Sequence, residues 1–116
     1  MSRVLIALGG HLTKRSVLNA VFEYCREMKF KVSVLLVDAG EPPSAALQDF
    51  LMRLKLAGLN GRLYRHAGNL GRAVLSHANR HKDIRLILVD SMKNWGSAPM
   101  QTLSPPVGLF SSIAAT

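Results

Sequence analysis

Three short, nearly uninterrupted apolar runs recur along the chain: Val4-Leu5-Ile6-Ala7-Leu8, Val32-Ser33-Val34-Leu35-Leu36-Val37 and Leu86-Ile87-Leu88-Val89. Each stops abruptly at a glycine or an aspartate, in Gly9-Gly10, in Asp38-Ala39-Gly40 and in Asp90-Ser91. Runs of this length without polar alternation read as strands buried on both faces, and the segments between them have helical length and period. The sheet is therefore expected to be parallel and covered by helices on both sides, an α/β three-layer sandwich. In such a sheet ligands bind beyond the carboxyl ends of the strands, which directs attention to residues 9–14, 38–41 and 90–93.

After the first strand, Thr13 or Ser16 is expected to cap a helix whose apolar positions Val17, Leu18, Val21, Phe22, Cys25 and Met28 recur at three- and four-residue spacing. Basic residues near Lys29 suit its C-terminal end. Beyond the second strand, Gly40 and the Pro42-Pro43 pair enforce a turn, and Ser44 caps a second helix through Ala46, Leu47, Phe50, Leu51 and Leu54, stopped by Gly58 and Gly61. Arg62-Leu63-Tyr64-Arg65-His66 alternates, as a sheet-edge strand does. Gly68-Asn69 turns the chain into a third helix with Leu70, Val74, Leu75 and Ala78 inward. Residues 91–104 have no sustained helical pattern. Pro105-Pro106-Val107-Gly108-Leu109-Phe110 reads as a last strand, with its prolines at the start, where a missing donor is tolerated.

The 116 residues form one domain, 1–116, long enough to bury roughly two-thirds of the surface its unfolded chain exposes. The single cysteine, Cys25, reads as a small core hydrophobe rather than a nucleophile and fits a reducing compartment. No apolar run approaches the ~20 residues of a membrane span, and the first residues do not read as a signal peptide, so a cytoplasmic location is expected. Fifteen Lys and Arg against seven Asp and Glu leave a net charge of +8, which favours nucleic acid, acidic lipid headgroups or an acidic protein. The basic residues are scattered and the aromatics few, so the stacking platform of a single-strand binder is missing and nucleic acid is not favoured.

The order of these pieces resembles the universal stress protein family, and the likeness spans most of the chain. Arg3-Val4-Leu5-Ile6-Ala7 is similar to its opening strand, and Val34-Leu35-Leu36-Val37-Asp38 through Pro42-Pro43 to its second strand and proline-bearing exit. Gly68-Asn69-Leu70-Gly71-Arg72-Ala73-Val74-Leu75 resembles the start of its third helix. Residues 84–91, with Ser104-Pro105-Pro106-Val107 later, resemble its fourth strand and proline-flanked fifth. The resemblance implies a five-stranded parallel sheet ordered 3-2-1-4-5 and frequent homodimerisation through the last strand. Members that bind ATP carry an acidic residue after the first strand and a glycine-rich phosphate loop after the fourth. Here Gly9-Gly10-His11 holds no carboxylate, and Asp90-Ser91-Met92-Lys93-Asn94-Trp95-Gly96 lacks the first two glycines. A shortened interval before the last strand implies that much of the fourth helix is lost. Without glycines to turn backbone N–H groups inward, a phosphate cradle is disfavoured, and no cofactor is expected.

The sharpest chemical candidate is Gly9-Gly10-His11-Leu12-Thr13-Lys14-Arg15-Ser16, a glycine turn entering a helix with two cations, which outlines an anion site. It matches neither a Walker A loop nor a dinucleotide fingerprint, and a plain strand-to-helix turn explains it as well. Asp38, Asp90 and Ser91 at strand exits are candidates to hold a ribose or a metal, against the commoner role of capping a loop. His77 and His81, at i and i+4, lack a third ligand and read as a polar outer face beside Arg72, Ser76 and Arg80. Trp95, with Met92, Met100 and Leu103, either forms an apolar patch for a partner or folds back over the core. With Val107 and Leu109 of the last strand, it is the candidate interaction surface.

No Ser-His-Asp or Cys-His arrangement and no carboxylate pair emerges, so catalysis is not expected. The chain reads as a non-catalytic regulatory or interaction domain, expected to form a homodimer and to stand either alone or inside a larger protein. The alternatives are a binder of a nucleotide or other small anion at the 9–16 turn, and a basic module on RNA or a membrane surface.

Overall fold

The computed structural model describes residues 2–9, 14–37, 43–90, 95–96, 103 and 105–109. β1 (Arg3–Leu8), β2 (Lys31–Val37), β3 (Asn60–His66), β4 (Ile84–Val89) and β5 (Val107–Leu109) form one parallel sheet ordered β3-β2-β1-β4-β5. The seven-residue β3, which starts two residues before the expected Arg62, is at one edge and the three-residue β5 at the other.

Successive residues of β1 serve opposite faces, and all of Val4 to Leu8 are buried. Val4, Ile6 and Leu8 pack under α1 (Arg15–Met28) and α2 (Ala45–Leu56), through Leu18, Val21, Phe22 and Cys25 of the first and Leu47, Phe50, Leu51 and Leu54 of the second. Leu5 and Ala7 pack on the other face under α3 (Leu70–Arg80), with Leu35, Val37, Ile87, Val89 and Trp95. Arg53 of α2 joins the two helices of the first layer, lying 4.2 Å from the Phe22 ring centre and donating to Asn19 Oδ1 at 2.6 Å. Cys25 is fully buried, and burial pushes its thiol up to about 12, which makes it inert packing.

Four expectations need correction. The N-cap of α1 is Lys14, whose side chain makes no cap bond; Ser16 is already inside the helix, and Thr13 is outside the described residues. Met28 is 54% exposed because it closes the last turn, beyond the reach of the sheet. In α3, Leu75 is half-buried, whereas His77 is buried at 7% exposure. His77 continues the spacing Leu70, Ala73-Val74, His77-Ala78, and the tertiary fit overrides its polarity.

Candidate functional site

The connection from β1 runs to β2 on one side and that from β4 to β5 on the other, so the crevice between the carboxyl ends of β1 and β4 is the topological switch point. Gly9 leaves β1 there and Asp90 leaves β4. The Gly9 N–H points at the Asp90 carboxylate, 3.3 Å from Oδ1 and 3.2 Å from Oδ2, and the Asp90 N–H donates to Ala7 O at 3.2 Å. A donor that an incoming phosphate would need is thus engaged by an anionic side chain of the protein itself. Gly10, His11, Asp38 and Ser91 lie outside the described residues. Lys14 is exposed beside the start of α1, in extended conformation (φ −62, ψ 141).

The start of α3 reaches the same edge of the sheet, following β3. Asn69 caps it, its Oδ1 accepting from Arg72 N at 3.1 Å, and the Gly71 N–H donates to Trp95 O at 3.0 Å. Two first-turn donors are therefore satisfied internally. Gly96, at φ 83, lies so close to Asn69 that a Cβ there would fall 1.9 Å from Nδ2. Trp95 itself is 3% exposed within the α3-side core. Trp95 thus folds back over the core, with its indole buried rather than exposed as an apolar patch. Among the described residues no helix stands between β4 and β5, and Trp95 with the half-buried Leu103 packs on that face instead.

Val107 and Leu109 are half-buried on β5, paired with Ile87 and Val89 of β4. They stand on the edge strand, with Leu109 beside Val89, the residue that precedes Asp90.

His77 and His81 stack with ring centres 4.3 Å apart, and the Tyr64 ring of β3 meets His77 edge-on at 4.6 Å. His77 Nε2 is buried without a hydrogen-bond partner. Burial lowers its pKa to about 4, assisted by His81, Arg3 and Arg80, so the ring is neutral at pH 7. The outer-face reading of this pair is thus wrong for His77. Among the described residues no three His, Cys, Asp or Glu side chains gather as metal ligands, and no helix is long and apolar enough to cross a membrane.

No protein-family model and no curated protein matches the sequence. Solved structures do match. One, from the universal stress protein family of Burkholderia pseudomallei, superposes with a TM-score of 0.63 over 93% of this chain and 94% of its own at 18% identity. The fold is that of the universal stress proteins. The universal stress protein UspA from Lactobacillus plantarum (TM-score 0.53, 12% identity, 94% and 98% covered) and a universal stress protein from Archaeoglobus fulgidus (0.50, 14%, 94% and 98%) agree. The 3-2-1-4-5 order implied by sequence resemblance is the order observed. Within the universal stress protein fold, what sequence alone missed is how the edge is filled: the Asp90 to Gly9 contact and the Asn69, Gly71, Trp95 and Gly96 junction. Gly96 was the available signal, as an isolated glycine directly after the only tryptophan.

Proposed function

We propose that this chain is a non-catalytic interaction domain that uses the universal stress protein scaffold without ATP. The observation that carries this reading is the Asp90 carboxylate at the Gly9 N–H, because a fixed negative charge at the switch point repels a phosphate and occupies its donor. The engagement of Gly71 N–H by Trp95 O supports it, since it removes a second donor at the same edge. The domain works as a homodimer through β5. A three-residue edge strand with half-buried Val107 and Leu109 is a surface that pairing with a second copy would cover. It acts in the cytoplasm, alone or as part of a larger protein.

Thermal-shift titration with ATP, ADP, AMP and cyclic dinucleotides at fixed ionic strength, with sulfate as the control, tests the first part. No nucleotide raises Tm beyond sulfate if the reading holds; saturable stabilisation that Gly10→Asp or Lys14→Ala removes would establish a small-anion binder instead. Sedimentation equilibrium tests the second: a dimer that Leu109→Lys dissociates is expected, and a monomer at all concentrations contradicts it.

A further inference from the structure

The opposite, amino-terminal edge of the sheet carries a feature that nucleotide chemistry does not use. An open cleft of about 440 Å³ is lined by Arg3, Lys31, Lys55, Gly58, Asn60 and Asp83. Arg3 is held in place, its Nε on Asp83 at 2.9 Å and its terminal nitrogen on the buried Ser33 hydroxyl at 2.7 Å. Lys31 Nζ donates to Gly58 O at 2.8 Å. Among the described residues neither Lys31 nor Lys55 has a carboxylate within ion-pair distance. The parallel topology is what gathers these cations, because strand starts and helix ends share one edge; in the sequence they are scattered.

Attraction to the C-terminal ends of helices explains some of this basic charge. It does not explain the apolar side chains beside it. The large hydrophobics exposed among the described residues are Met28 (54%), Met52 (61%) and Leu56 (81%), all on the layer of α1 and α2. Met52 and Leu56 are one turn apart on α2, and Leu56 sits between Lys55 and Gly58, which line the cleft. Cations with adjacent exposed apolar side chains suit a surface that is negatively charged outside and hydrocarbon beneath. Nucleic acid offers the charge but nothing for Leu56 and Met52.

We propose that this edge docks reversibly onto an anionic phospholipid surface, headgroup phosphates meeting Lys31 and Lys55 at the mouth of the cleft, beside the mutually neutralised Arg3–Asp83 pair, while Met52 and Leu56 enter the interfacial layer. The attachment is peripheral, and it is weakened by salt.

Co-sedimentation with vesicles of phosphatidylglycerol and phosphatidylcholine, against pure phosphatidylcholine, tests it. Binding to the anionic vesicles alone is expected. Lys31→Glu with Lys55→Glu should weaken it at least about tenfold, and Lys55→Glu alone provides the same test without disturbing the Gly58 contact. Met52→Ser with Leu56→Ser should weaken it by about threefold or more with Tm unchanged, since both side chains already face water. Arg65→Glu with Arg72→Glu, an equal charge change at the other edge, should alter it less than about twofold. Failure to bind anionic vesicles overturns the proposal, as does equal loss in the two charge-reversal pairs. An RNA oligomer that binds in place of vesicles, with Met52 and Leu56 indifferent, would replace it with a nucleic-acid site.

Discussion

Asp90, just past the end of β4, accepts the backbone N–H of Gly9, just past the end of β1, through both carboxylate oxygens at 3.2 to 3.3 Å. The contact joins the two central strands where their connections diverge. Asp90→Asn keeps the shape and removes the charge. It should cost about 2 kcal/mol in urea unfolding, the range of a hydrogen bond to a charged group, and should increase the stabilisation by sulfate over wild type.

Gly96 and Gly58 have similar positive φ, 83 and 74, but different surroundings. A Cβ at Gly58 meets nothing within 4 Å, whereas at Gly96 it collides with Asn69. Gly58→Ala should therefore cost only the left-handed strain, about 1 kcal/mol. Gly96→Ala adds displacement of the α3 cap and should cost about 2 kcal/mol or more. Equal losses in chemical denaturation would refute the Asn69 contact.

Trp95→Ala should cost about 3–5 kcal/mol, because it empties a core position that the chain fills from outside a regular element. As the only tryptophan, it also reports directly: native emission should be blue-shifted and poorly quenched by acrylamide, both lost on unfolding.

His77 gives the domain a defined acid sensitivity. Its folded pKa of about 4 lies below the ordinary 6.5, so the unfolded chain takes up the proton first. The contribution of the neutral ring is complete above pH 6.5, declines as the pH falls, and is lost by about pH 4. Asp83, whose carboxyl is lowered chiefly by its hydrogen bond to Arg3, acts in a separate window, its stabilisation disappearing only as pH falls through 3.8 and below. Denaturation midpoints should fall between pH 6.5 and 4 in wild type, and the slope in that window should vanish in His77→Phe.

The sheet was legible in the sequence because strands buried on both faces leave short apolar runs bounded by turn residues, as Val4 to Leu8 before Gly9-Gly10 do. The Ser44 cap was legible because its side chain does the capping, and the Lys14 cap was not because its side chain makes no such bond; at Asn69 the sequence showed a turn into the helix but not the cap. The inward turn of His77 was written in the period of α3, but its polarity argued the other way. The contacts at the switch point were the least legible part. The Asp90 to Gly9 contact joins residues 81 positions apart, and the Gly96 approach to Asn69 depends on a junction no local pattern encodes.

The Gly9 and Gly71 N–H groups are engaged by Asp90 and by Trp95 O, and backbone amide NMR follows them individually. Across a titration with ATP to millimolar concentration, the Gly9 and Gly71 amide resonances should not move beyond the change that sulfate produces. Saturable, nucleotide-specific shifts of both would contradict the account and restore a working nucleotide pocket.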